Sequence, residues 1–240
     1  MMFKKLKNIL GIAETKASNH FQISDKAVFQ KSASSVILNS QIILENDAQL
    51  IIGDQVKIEN YQIRILRGKC RIENDTQLIG VKNTLSNSIY ISEGSLLIAD
   101  HCIIQSEFCI RFGGNCSVDS YTGIMYGTEI RCDESLKIGK FNMISYECMI
   151  YDTNTHCMYN QDKRRKLTVE NYPYIGLEVE KPETAPVTIG DDCWIGKRAT
   201  ILKGVNIGNN STVATCAVVT KSAPANSLLY GNPAQQKLKS

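Results

Sequence analysis

Three histidines, His20, His101 and His156, carry the side chain best suited to proton transfer near neutral pH. His156 stands apart because it lies six residues after Ile150, where a regular repeat of aliphatic residues would place its next member. A neutral imidazole at such a place can accept a proton as a general base. A single histidine can also be structural, and the residues by themselves leave both interpretations open.

The repeat that His156 interrupts is clearest from Val187 to Lys221. Aliphatic residues return there at every sixth position, a period that fits neither a helix nor an exposed strand. A mostly small side chain occupies the fourth place after each of them. Six residues form one short strand and a turn, and three such faces close one coil of a parallel β-helix. The aliphatic positions are Ile189, Ile195, Ile201, Ile207, Val213 and Val219, and the second set is Cys193, Ala199, Val205, Ser211 and Ala217.

The same rhythm continues less regularly towards the N-terminus and predicts one all-β solenoid domain over residues 23–225. At about eighteen residues per coil, this region makes roughly nine coils. The phase slips around 60–65 and 83–92, which predicts irregular coils there. Residues 226–240 are predicted to form a C-terminal turn and tail.

A long inserted loop is predicted at about residues 157–186, because the rhythm stops after Ile150 and resumes at Ile189. The segment is charged and contains prolines. A long insertion in a regular solenoid tends to be functional. A tolerated surface loop is the alternative that the sequence leaves open.

The N-terminal segment 1–22 is predicted to hold a short amphipathic helix, with an apolar stripe along residues 2–13. It would cap the open end of the solenoid or contact a membrane surface. No run of apolar residues is long enough to span a membrane, and a net charge of +3 is too small to indicate nucleic acid. Nine cysteines without a CxxC pair or a signal peptide indicate reduced thiols and a cytoplasmic protein, with the membrane's inner face as the alternative site.

The six-residue repeat and the segment GNPA at 231–234 resemble the hexapeptide-repeat acyltransferases, and within them the sugar and polysaccharide O-acetyltransferases. The resemblance implies a left-handed parallel β-helix and a homotrimer with sites between neighbouring solenoids. It also implies acetyl-CoA as the acyl donor. The segment that ends at His156 is similar to the family's Asp-x-Asp/Asn-x-His loop. By resemblance His156 is the general base, and Asp152 or Asn154 orients its ring.

The resemblance further implies that coenzyme A binds along the last coils. Trp194 is expected to point outward, since it directly precedes an inward aliphatic residue. Relatives often carry an arginine after the GNPA turn, where this chain has Gln235, so no side chain is assigned to the 3′-phosphate. The residues expected to line the coenzyme groove are Trp194, Gly196, Lys197, Ala214, Thr215, Thr220, Lys221 and Pro233.

The predicted function is therefore acetyl-CoA-dependent O-acetylation of a sugar hydroxyl, on a surface polysaccharide or its precursor. N-acetylation of an amino sugar or a nucleotide-linked amino sugar would use the same fold and base. A non-enzymatic solenoid scaffold is the alternative from a different class. A metal hydratase of this fold needs three convergent histidines, which lie in separate regions of this chain, so no metal is expected.

Overall fold

The computed structural model describes residues 18–81, 87–174, 176 and 180–239. Within them the chain forms a left-handed parallel β-helix with about nine coils and one helix, which confirms the predicted all-β fold. The apolar stripe predicted for residues 2–13 lies outside the described residues.

Twenty-seven short strands and one helix make up the described chain. In chain order the strands are β1 His20–Ile23, β2 Val28–Lys31, β3 Val36–Leu38, β4 Gln41–Leu44, β5 Gln49–Ile52, β6 Lys57–Glu59, β7 Gln62–Ile65, β8 Lys69–Ile72, β9 Gln77–Ile79, β10 Ser88–Ile91, β11 Gly94–Ile98, β12 Ile103–Ile104, β13 Glu107–Ile110, β14 Gly114–Val118, β15 Gly123–Ile124, β16 Glu129–Cys132, β17 Ser135–Ile138, β18 Met143–Ile144, β19 Met149–Tyr151, β20 Val187–Ile189, β21 Trp194–Ile195, β22 Thr200–Ile201, β23 Asn206–Ile207, β24 Thr212–Val213, β25 Val218–Val219, β26 Ser227–Tyr230 and β27 Gln235–Leu238. The helix, α1, is Gln161–Glu170.

Every third strand belongs to the same sheet, as one coil of three faces requires. Sheet A runs from β1 to β25, sheet B from β2 to β23, and sheet C from β3 to β24 with β26 and β27 added. We call the turns between the sheets the A/B, B/C and C/A corners. The core lies between the three sheets, and the aliphatic and small positions of the six-residue rhythm are all buried there.

Most coils are longer than the predicted eighteen residues. Ile104 pairs with Ile124 and Ile124 with Ile144, so these coils contain 20 residues each. Only late coils have 18 residues, as the pairing of Ile195 with Val213 shows. The longer coils carry strands of four or five residues in sheets A and B, where the later ones carry two. The longer coils also explain the phase slip at 60–65, because the strand at this place, β7, pairs in register with both β4 and β10.

The two ends of the solenoid differ from the predicted boundaries. The first strand begins at His20 and pairs with β4, ahead of the expected start at residue 23. Residues 226–240 are more than a turn and tail, because β26 extends sheet C in parallel and β27 returns beside it in antiparallel fashion. An antiparallel return pairs the last parallel strand and so protects the sheet edge.

The nine cysteines are free thiols, and six of them are buried between the sheets. Burial raises the pKa of Cys70 to about 12 and that of Cys102 to about 11, so both stay protonated at neutral pH. Cys216 is exposed.

We therefore expect iodoacetamide at pH 8 to alkylate Cys216 rapidly in the folded protein and Cys102 only after unfolding, because the thiolate is the reacting species. Peptide mass spectrometry over a time course measures both rates, and labelling in denaturant is the control. Equal rates at the two positions in the native protein would contradict the buried assignment.

Candidate active site

The insertion leaves the solenoid at the A/B corner, between β19 and β20. Its outgoing and returning limbs pair where they meet. Thr153 and Thr184 form an antiparallel bridge, and the amide of Ala185 donates to the carbonyl of Asp152 at 2.9 Å. The amide of Asn154 donates to the carbonyl of Glu183 at 3.0 Å. These bonds make the mouth of the insertion a fixed stem on the solenoid.

His156 follows directly on this stem and is exposed. The carbonyl of the preceding Thr155 accepts a hydrogen bond from Arg111 Nη2 at 3.4 Å. The His156 amide donates to the Asn154 carbonyl at 2.7 Å. A Cβ built on Gly176 would lie 3.5 Å from His156 Cε1, so Gly176 lies beside the imidazole.

Arg111 is itself held in place by the fully buried carboxylate of Asp133. Arg111 Nε and Nη2 donate to the two oxygens of Asp133 at 3.0 and 2.7 Å. Half-burial opposes the guanidinium charge, but the hydrogen bonds and charge of Asp133 outweigh it, and the pKa of Arg111 is raised. Sequence reasoning missed this pair, because neither residue lies near the insertion in the chain.

The structure places Asp152 inside the A/B corner, with its side chain fully buried. Its Oδ1 accepts from the amide of Asp133 at 2.8 Å, and its Oδ2 accepts from the amides of Glu134 and Ser135 at 2.9 and 2.8 Å. Burial raises the pKa of this carboxyl, while the three amides act in the opposite direction. Asp152 thus fastens the previous coil to the stem, and its role towards the His156 ring stays a prediction.

Asn154 is an exposed part of the same stem. Its Nδ2 donates to Glu183 Oε2 at 3.1 Å, and Lys203 Nζ lies 2.9 Å from the other oxygen of that carboxylate. Asn154 therefore ties the outgoing limb to the returning limb and, through Glu183, to the next coil. Its predicted contact with the imidazole also stays a prediction.

The outer face of sheet A carries a polar cluster beside the stem. Tyr151, the last strand residue before the insertion, donates its hydroxyl proton to Glu129. Arg131 donates to the same carboxylate and stacks over the Tyr151 ring at 5.4 Å. Burial, followed by the bond to Glu129, raises the pKa of Tyr151. These half-buried groups can donate and accept hydrogen bonds, as hydroxyl-bearing molecules require.

The helix α1 is an element that the sequence did not predict. Asn160 caps its first turn by accepting from the amide of Lys163 at 2.9 Å, and Lys163 Nζ bonds Glu180 at 2.9 Å. No residue of α1 is buried. A helix without a buried face gives no stripe of core residues, so its sequence signals were the Asn160 cap and Asp162 in the first turn.

The predicted coenzyme residues lie at two separate corners and on sheet C. Trp194 projects from sheet C with 53% of its surface exposed and lines a cavity of about 220 Å³ beside Met143. Lys197 and Thr215 are exposed at the C/A corner, where Lys197 Nζ lies 3.5 Å from Glu147.

Gly196 and Ala214 belong to the same C/A corner but shape it through the backbone. A Cβ on Gly196 would lie 2.7 Å from the amide nitrogen of Thr215, so only glycine allows the next coil to approach. The amide of Ala214 donates to the carbonyl of Leu229 at 2.8 Å.

The turn that contains Pro233 folds back over the same side of the solenoid. The amide of Val218 donates to the carbonyl of Gly231 at 3.0 Å, and the amide of Ala234 donates to the carbonyl of Val218 at 2.8 Å. Thr220 and Lys221, however, follow β25 at the A/B corner, on the insertion's side. Sheet A thus separates most of the predicted coenzyme residues from His156 within one chain.

Two further observations apply to the described ranges. No three side chains of His, Cys, Asp or Glu come together there as a set that could hold a metal ion. No helix within these ranges has the length and apolar character needed to cross a membrane.

Residues 186–221 match a protein-family model described as the hexapeptide repeat of succinyl-transferase. Over 172 residues, 72% of this chain, the sequence is 30% identical to the Escherichia coli (strain K12) protein WbbJ, whose name describes a lipopolysaccharide biosynthesis O-acetyl transferase, and the match covers 76% of that protein. Over 144 residues, 59% of this chain, it is 31% identical to the galactoside O-acetyltransferase of Lactococcus lactis subsp. lactis (strain IL1403).

The match covers 62% of the Lactococcus protein, so the chain spans less than two thirds of that relative's length. Among solved structures, the polySia-specific acetyltransferase NeuO superposes with a TM-score of 0.59 at 17% identity. That superposition covers 92% of this chain and 80% of the other, and at such low identity it bears on the fold alone.

Proposed function

Since this chain belongs to the hexapeptide-repeat acetyltransferases, we propose that it transfers an acetyl group from acetyl-CoA to a sugar hydroxyl, with His156 as the general base. The acceptor would be a surface polysaccharide or its precursor. The observation that carries the proposal is the stem of the insertion, at a break in an otherwise regular solenoid, where Arg111 bonds the carbonyl of Thr155 directly before His156. The names of two relatives, both O-acetyltransferases, support a hydroxyl acceptor.

In the proposed reaction the neutral imidazole of His156 takes the proton of the acceptor hydroxyl. The acceptor oxygen forms a bond to the thioester carbonyl carbon, and the carbon–sulfur bond then breaks. The imidazolium returns its proton to the departing thiolate, so the products are the acetyl ester and free CoA. A thioester is already activated, so positioning and one proton relay suffice without a covalent enzyme intermediate.

A homotrimer would complete this site, and the placement of the predicted residues supports it. His156 lies at the A/B corner, whereas Lys197, Thr215 and Pro233 lie at the C/A corner across sheet A. A heterologous contact that brings one chain's A/B corner to its neighbour's C/A corner would close as a ring. The acetyl-CoA of one chain would then face the base of the next.

An acceptor comparison tests the proposed reaction. We expect thiol release from acetyl-CoA with a galactoside and none above background with a matched amino sugar whose hydroxyl groups are blocked. Mass spectrometry of the product identifies an ester that is labile to mild base. Transfer to the amine alone would replace the proposal with N-acetylation, and no transfer to any saccharide would refute it.

A further inference from the structure

We propose that a groove on the outer face of sheet B binds a saccharide chain of several residues and leads it to the insertion, an inference that rests on the proposed transfer to a sugar. The groove encloses about 380 Å³. That volume falls within the range of about 300–1,000 Å³ that ligand sites occupy. The groove lies on a different face from Trp194, Lys197 and Thr215.

The floor of the groove is one column of outward side chains from four successive coils. Leu97 pairs with Ser117, Ser117 with Lys137, and Lys137 with Thr188. Neighbouring strands lie about 4.8 Å apart, so the floor extends about 14 Å along the solenoid axis. An elongated floor of this kind suits a chain of sugar rings laid end to end better than one compact molecule.

One wall of the groove is formed by the B/C corner, which is shaped by two glycines. A Cβ on Gly139 would lie 2.3 Å from Asp191 Oδ1, and one on Gly190 would lie 2.2 Å from Asn209 Oδ1. Larger residues do not fit there, so the backbone itself forms the wall.

The groove is lined by charged, hydrogen-bonding and apolar side chains, which match the hydroxyl groups and the carbon–hydrogen faces of a saccharide. Lys137 stands in the middle of the floor, and no residue in the described part of the chain forms an ion pair with it. Asp119 and Asp191 each use Oδ1 to accept a backbone amide at 2.8 Å, which leaves a second carboxylate oxygen for a hydroxyl donor. Leu97, 41% exposed, offers an apolar surface to the carbon–hydrogen face of a sugar ring.

The upper end of the groove adjoins the insertion. Thr188 belongs to β20, the first strand after the insertion, and lies three residues beyond Ala185, which pairs with Asp152 in the stem. A saccharide chain that follows the floor therefore arrives at the base of the loop that carries His156. The groove supplies what a site for one sugar lacks, namely contacts to the residues of a polymer that are not acetylated.

The test compares transfer to methyl β-galactoside with transfer to a linear galactose hexasaccharide. For the native protein we expect the KM of the hexasaccharide to be at least tenfold lower. The variant Ser117→Trp fills the floor of the groove. It should raise the KM of the hexasaccharide about tenfold and leave kcat and the KM of methyl β-galactoside unchanged. Lys137→Gln leaves the floor open and should raise the KM of the hexasaccharide about three- to tenfold, the effect of one lost hydrogen bond. Gln77→Trp, at an outward position of sheet C, is the matched control and should behave as the native protein.

Equal KM values for the two acceptors would contradict the proposal that the groove binds a saccharide chain. Identical KM values for Ser117→Trp and Gln77→Trp would contradict it too. A change in the oligomeric mass of Ser117→Trp by light scattering would do the same, because the face would then belong to a subunit contact. Calorimetric binding of the hexasaccharide does not depend on turnover. If Ser117→Trp loses this binding while Gln77→Trp retains it and neither protein transfers acetyl, that result would support saccharide binding in the groove and reject the proposed reaction.

Discussion

His156→Asn should lower kcat by about 10²–10⁴-fold, because the amide keeps polarity at this position but cannot shuttle a proton. The KM for acetyl-CoA should change little, because the proposed base takes its proton from the acceptor hydroxyl and His156 is not among the predicted coenzyme residues. Steady-state thiol release gives kcat, and calorimetry gives the affinity for CoA. Because His156 is exposed and its stem is held by backbone bonds, the melting temperature should stay within a few degrees of the native value.

The matched control is His101→Asn, the same substitution on the same chain. His101 lies at the B/C corner with a positive φ of 58° and stacks on Tyr121 at 4.7 Å. Asparagine tolerates that backbone conformation, so the control should fold and retain its kcat. If His156→Asn keeps more than a tenth of the native kcat, another group performs the proton transfer. Loss of CoA affinity together with kcat would assign His156 to coenzyme binding instead.

The architecture follows from the sequence because inward positions recur in register with the coil. A coil closes only if each face buries its own side chains, so Ile195 and Val213 must be spaced by one coil. The six-residue repeat did not predict the length of the earlier coils. Residues added to a strand or a corner keep inward side chains such as Ile124 and Ile144 in line while they shift the sequence phase.

The candidate site was only partly accessible to sequence reasoning. His156 is conspicuous because it occupies the place of an aliphatic residue. Arg111 and Asp133 lie two coils and one coil earlier, and only the stacking of corners brings them to Thr155. For Asp152 the sequence indicated the residue but not its contacts. A carboxylate four residues before the histidine suggests an orienting role. The structure shows that both its oxygens accept amides of the previous coil.

Mixing two inactive variants should restore activity if the site lies between chains. His156→Ala removes the proposed base at the A/B corner, and Thr215→Trp obstructs the predicted coenzyme groove at the C/A corner, where the side chain is exposed. Each variant alone should be nearly inactive. After joint unfolding and reassembly in equal amounts, activity should return to about one quarter of the native value, because random assembly gives one interface in four with both halves intact.

Ala225→Trp is the control for bulk, since it adds the same side chain at an exposed position of the B/C corner. It should be active alone, which separates obstruction of the groove from general damage by tryptophan. Light scattering should give the same trimeric mass for each variant and for the mixture. Full activity of Thr215→Trp alone would remove the C/A corner from coenzyme binding. Two inactive variants that stay inactive as a mixed trimer would place base and coenzyme on one chain, which would require the insertion to reach across sheet A and would reject the inter-subunit site.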